Sequence, residues 1–83
     1  MPLTTEREAR VLAVIHDALN LGAGAMTLDT TRNDVETWDS LGHLGVLAAL
    51  DVHFDGKVGE IKEMATVDSV RDIFDLLRAH SLL

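Results

Sequence analysis

The segment of this chain whose residue types and spacing can carry chemistry is Asp39-Ser40-Leu41, with Trp38 in front of it. It falls where a long, aperiodic stretch gives way to an amphipathic one. A serine at the start of a helix has two uses. Its side chain can cap the orphan backbone N–H groups of the first turn, the commoner role of Ser and Asp there. Alternatively, its hydroxyl stands exposed on a rigid element, beside N–H groups that favour an attached phosphate.

Other constellations are weaker. Asp39, Ser40 and His43 include the residue types of a hydrolytic triad. Triad partners, however, converge from distant segments onto a pocket, and residues three apart on one helix stand side by side. The four histidines, His16, His43, His53 and His80, include no His-x-x-x-His pair. Each is expected to face solvent, and no metal site is expected. Asp51 to Gly56 lacks the alternating ligands of a calcium loop. Ser69 also follows an aspartate, but no long loop precedes it, so it reads as a polar residue in the first turn of the last helix.

The elements that must position Ser40 follow from periodicity. Thr5 and Glu8 fit a capping box. Val11, Leu12, Ile15, Ala18 and Leu19 recur at helical spacing, so a first helix is predicted from about Thr5 to Asn20, ended by Gly22 and Gly24. Residues Leu21 to Trp38 form a long connection, a length often tied to function. Leu28 and Val35 are placed to pin it to the core. The second helix starts at Asp39-Ser40 and ends at Asp55-Gly56. Leu41, Leu44 and Ala48 form one apolar row on it, and Leu47, Leu50 and Phe54 another. A short helical turn is predicted from Glu60 to Met64. Thr66 is the predicted cap of the last helix, with Asp68 in its first turn and Arg78 and His80 in its last. Val67, Val70, Ile73, Phe74 and Leu77 form its buried face. The predicted fold is all-α, a four-helix bundle of three long helices and one short helix, with residues 1–83 as one domain. Its predicted core is Leu12, Ile15, Leu19, Leu44, Leu47, Leu50, Val70, Phe74 and Leu77.

Composition narrows the partners. The 83 residues carry a net charge of −7 and no cysteine. Packed helices rather than disulfides or thiolate metal sites must hold the fold. The charge opposes binding to nucleic acid or an anionic membrane and suits a partner with a basic patch. The N-terminal residues lack a basic stretch followed by a long apolar run, and no run approaches the roughly 20 residues that span a bilayer. A cytoplasmic protein is expected.

The Asp39-Ser40-Leu41 motif resembles the attachment site of acyl carrier proteins. The resemblance extends over the order of elements: an amphipathic helix, a long loop, the motif opening a second helix, a short third helix and a last amphipathic one. Leu50 and Phe54, and the approach Met64-Ala65-Thr66-Val67-Asp68-Ser69-Val70, also look like that family. The resemblance implies a free-standing acyl carrier that is not an enzyme. Its cofactor would be 4′-phosphopantetheine, moved from coenzyme A to Ser40 by a phosphopantetheinyl transferase, and its cargo an acyl thioester. Asp39 would belong to the surface read by the transferase, and Leu41 would be the apolar contact beside the arm. The other implied partners are acyl-loading and acyl-transfer enzymes of a biosynthetic pathway, with the carrier acting as a monomer. They would dock on the end of the long loop and the second helix, through the acids Asp34, Glu36, Asp39, Asp51 and Asp55 and apolar contacts from Leu41, Val46 and Trp38. The alternative is that Trp38 folds over the helix junction to anchor the loop and Val46 packs inside.

The sequence departs from housekeeping fatty-acid carriers. Its second helix holds Gly42, His43, Gly45, Ala48 and Ala49 and is acidic only at Asp51 and Asp55. The Trp38-Asp39-Ser40-Leu41 form looks more like carriers of specialised pathways, polyketide or related. Asp39 before the serine favours acyl over aminoacyl cargo. The competing readings are an aminoacyl carrier and an unmodified acidic interaction module with the same fold.

Overall fold

A computed structural model describes residues 6–21 and 27–83. Among these residues there are three α-helices: α1 (Glu6–Ala18), α2 (Ser40–His53) and α3 (Val70–Ala79). Three 3-10 turns lie between them, at Arg32–Asp34, Val58–Glu60 and Lys62–Thr66. Among the described residues there is no β-strand, only an isolated antiparallel bridge between Thr31 and Ser69, so the fold is all-α. No helix among them is long and apolar enough to cross a membrane.

Each α-helix ends by the same device. Beyond the last turn, one residue takes a left-handed conformation: Asn20 (φ 60°), Asp55 (φ 57°) and Ser81 (φ 60°). The next N–H then reaches back to the carbonyl five residues earlier: Leu21 to His16 at 2.9 Å, Gly56 to Asp51 at 2.7 Å and Leu82 to Leu77 at 2.8 Å. This closure satisfies carbonyls the helix leaves orphaned. For α1 it falls at Asn20, a residue type that tolerates the left-handed region, and not at the predicted Gly22 and Gly24. Those glycines and the predicted cap Thr5 lie outside the described residues.

The last helix starts later than predicted. Its N-cap is Ser69, whose hydroxyl accepts the Asp72 N–H at 3.1 Å. Thr66 instead closes the preceding turn, donating to the Glu63 carbonyl. Val70, Ile73, Phe74 and Leu77 form the buried face of α3 as expected.

The short third helix is also different. Ile61 sits in extended backbone (φ −94°, ψ 96°) and separates two 3-10 turns. The reason lies in spacing: Val58, Ile61, Met64 and Val67 are all buried, and their period of three matches a 3-10 winding rather than an α-helix.

The core collects Val11, Ile15 and Leu19 from α1, Val46 and Leu50 from α2, the period-three row and the face of α3, with Val35 and Trp38 from the long connection. Leu12 and Leu47 pack only at its edge. Leu44, placed in the core by spacing, is 62% exposed. Val46, expected at the surface, is fully buried in its stead.

The long connection is fastened to α3. Arg32 N–H donates to the Asp68 carbonyl at 2.7 Å, Val70 N–H to Thr30, and Arg71 N–H to Leu28. The Arg71 guanidinium pairs with Asp29 at 2.6 Å. That hydrogen bond and the aspartate's charge push the guanidinium above its ordinary value.

Candidate functional site at the start of α2

Asp39 is the N-cap of α2. Its carboxylate accepts the Gly42 N–H at 2.8 Å. This leaves Ser40, the first residue of the helix, free of the capping role. Its hydroxyl is exposed and makes no hydrogen bond among the described residues. Beside it Leu41 is 79% exposed, a large apolar side chain held in water.

The residues behind Ser40 are locked. Trp38 is 2% exposed, and its indole N–H donates to His43 Nδ1 at 3.0 Å. An indole nitrogen only donates, so Nδ1 must be the accepting nitrogen. The imidazole proton therefore lies on Nε2, which donates to the Met64 carbonyl at 2.8 Å. This tautomer follows from the hydrogen-bond pattern. One buried chain thus ties the end of the long connection, the first turn of α2 and the second of the 3-10 turns that follow it. His43 is buried rather than solvent-facing, and so is His16, while His53 and His80 are exposed as expected. With both His43 nitrogens engaged, the ring has no lone pair to offer Ser40 as a base.

Gly42 is required by close approach. A β-carbon there would drive into the carbonyl oxygen of Thr37 and press on Leu19. Thr37 in turn donates its hydroxyl to the Leu19 carbonyl at 2.8 Å. The chain's own loop therefore packs against this glycine.

The predicted partner contacts divide. Trp38 and Val46 lie inside the protein, both as members of the buried core. Neither presents an apolar surface to a partner. Asp51 is half-buried and accepts the Gly59 N–H at 2.7 Å, fixing the turn after α2. Asp55 is exposed, in the left-handed position that ends α2. The apolar surface of α2 is made instead by Leu41, Leu44 and Val52, which are 79%, 62% and 80% exposed. At i, i+3 and i+11 they lie along one side of the helix, with Ala48 between them.

A groove of about 290 Å³ opens at Ser40, lined by Arg32, Ser40, His43, Leu44, Leu47 and Ala65. Arg32 is the member that sequence reasoning missed. It sits in the connection with no local motif, and only the fastening of that loop to α3 brings it to the groove. Leu44, expected in the core from its spacing, lines this groove instead. Among the described residues no group of three or more His, Cys, Asp or Glu is placed to hold a metal ion.

No family model matches this chain, and no curated protein or solved structure is detectably similar to it.

Proposed function

We propose that this chain is a free-standing acyl carrier protein, with Ser40 bearing a 4′-phosphopantetheine arm. In this reading the three α-helices and the paired 3-10 turns together form a carrier-like four-helix bundle. The observation that carries it is the division of labour at the start of α2. Asp39 caps the helix, so the Ser40 hydroxyl is left exposed and unbonded at the mouth of a groove. A serine kept only for capping would be making that bond itself.

The surroundings suit the arm. The groove offers Leu44, Leu47 and Ala65 to its uncharged part and Arg32 to its phosphate. A bound arm supplies a terminal thiol, on which an acyl group is carried as a thioester. Attachment forms a bond from Ser40 Oγ to the phosphorus that bears pantetheine. The phosphoanhydride bond of coenzyme A breaks, adenosine 3′,5′-bisphosphate leaves, and the serine proton goes to a base on the transferase. The protein itself then presents and delivers. The Trp38–His43–Met64 chain keeps Ser40 on a rigid support, and the exposed stripe of Leu41, Leu44 and Val52 is what a partner enzyme would cover. An exposed apolar stripe of this kind marks interaction surfaces. The net charge of −7 favours partners with a basic rim.

Intact-mass measurement after incubation with coenzyme A and a broad-specificity transferase tests this reading. The wild-type protein should gain one phosphopantetheine. Ser40→Ala should keep its fold and gain none. A wild-type mass that stays unchanged would favour the unmodified interaction module, which uses the same apolar stripe.

A further inference from the structure

Arginine is used sparingly and almost entirely in pairs. Arg7 donates to the Leu82 carbonyl, Arg10 pairs with Glu6, Arg71 with Asp29, and Arg78 with Glu8 and Asp75. Arg32 differs. Among the described residues its guanidinium makes no hydrogen bond and no ion pair, although the chain has 14 acidic residues against seven basic ones. The acid nearest to it in sequence is diverted: the Asp34 carboxylate accepts the Thr31 N–H at 2.9 Å and the Thr31 hydroxyl at 3.1 Å. Asp39 is diverted likewise to Gly42.

The backbone beneath Arg32 is held firmly. Its N–H donates to Asp68, its carbonyl accepts from Val35, and Thr31 bridges to Ser69. Arg32, a half-buried residue on a fixed loop, lines one groove with Ser40, and its guanidinium lacks only an anion.

Resting on the carrier reading, we propose that Arg32 binds the phosphodiester of the arm on Ser40 and seats the first part of that arm over Leu44, Leu47 and Ala65. The chemistry selects the anion. A guanidinium presents paired N–H donors that match two phosphate oxygens, and the bond is charge-assisted. His43, the other polar group in the groove, has both nitrogens engaged and leaves the phosphate to Arg32. Tethering at Ser40 gives the phosphodiester a high effective concentration that no free anion shares. At about 290 Å³ and open to solvent, the groove suits a stretch of arm rather than a wholly enclosed cargo. The arm thus rests against the protein and is released when salt, or a partner's cation, takes the phosphate from Arg32.

The test compares unmodified and modified forms of wild type, Arg32→Gln and Arg32→Lys, with modification verified by intact mass and folding by circular dichroism. Phosphorus NMR reports the phosphodiester, and methyl NMR reports Leu44, Leu47 and Ala65. In wild type, modification should shift the methyl signals of all three residues, and rising salt should reverse the shift. Arg32→Gln should lose the methyl shifts and move the phosphorus signal towards its high-salt position. Arg32→Lys, which keeps charge without the planar fork, should retain part of both. Methyl shifts that persist in modified Arg32→Gln, or that are absent from modified wild type, would overturn the role of Arg32 and leave the carrier reading standing. A wild-type protein that gains no mass would remove the carrier reading, and this inference with it.

Discussion

The inward face of α2 carries Gly42, His43, Val46 and Leu50, and the outward face carries Ser40, Leu41, Leu44, Ala48 and Val52. Hydrophobicity does not separate them. A glycine and a histidine are packed inside, while two leucines and a valine lie in water. Fit separates them. The inward residues meet a loop carbonyl, an indole and the side chains of the core. The outward ones are exposed, with Ser40 and Leu44 lining the open groove beside Arg32. One face of the helix therefore serves stability, and the other is left for whatever this protein binds.

Substitution should break that symmetry of composition most sharply at the leucines. Leu50→Ala removes a side chain with no exposure and should cost about 2–5 kcal/mol, the range for buried leucine truncation. Leu44→Ala removes a side chain of the same type that is 62% exposed, and should change stability by less than about 0.5 kcal/mol. Urea unfolding of the two variants reads the difference directly. Equal losses would mean that α2 is rotated from the phase described.

The two glycines of α2 give the next contrast. Gly42→Ala puts a methyl group into the Thr37 carbonyl, and backbone cannot yield as a side-chain tip can. A loss of about 1–3 kcal/mol or more is expected, as for overpacked cores. At Gly45 the nearest atom to an added β-carbon is the Ala18 carbonyl at 3.8 Å, an ordinary contact. Gly45→Ala should therefore raise stability, by up to about 1 kcal/mol, the helix preference of alanine over glycine. Thermal melts of both variants should move in opposite directions. A loss in both would show that the C-terminal end of α1, at Ala18, is packed more tightly against α2 than described.

The sequence made α3 legible because its apolar residues Val70, Ile73, Phe74 and Leu77 lie on one side and charged residues on the other. The phase of α2 was not legible for the converse reason. Leu41, Leu44, Val46, Leu47, Leu50 and Val52 surround the helix, so spacing alone could not choose between Leu44 and Val46. The period-three row Val58, Ile61, Met64, Val67 was available to reading but is easily taken for a short α-helix. At the site, Ser40 could be found because a helix start has a local signature. Arg32 and the His43 chain could not, since each depends on contacts with segments distant in sequence, Asp68 for one and Met64 for the other.

The smallest expected effects fall on the boundary between the two faces, at Asp39 and Ser40. Asp39→Ala deletes the acceptor for the Gly42 N–H and should cost about 1 kcal/mol, the usual value of an N-cap. Asp39→Asn keeps an oxygen in the same place and should cost only a few tenths, since asparagine caps as well as aspartate. Ser40→Ala should also change stability by only a few tenths of a kcal/mol, because its hydroxyl makes no cap bond and alanine favours the helix. The three variants separate structure from recognition. Asp39→Asn preserves the cap and removes the charge, so slower pantetheinylation in a stable Asp39→Asn protein would assign the carboxylate to the surface read by the transferase. Unchanged rates in Asp39→Asn, with slower ones in Asp39→Ala, would assign Asp39 to holding the first turn of α2 and nothing more. A Ser40→Ala protein that unfolds as readily as Asp39→Ala would return the capping role to the serine, and the proposed function would lose the observation on which it rests.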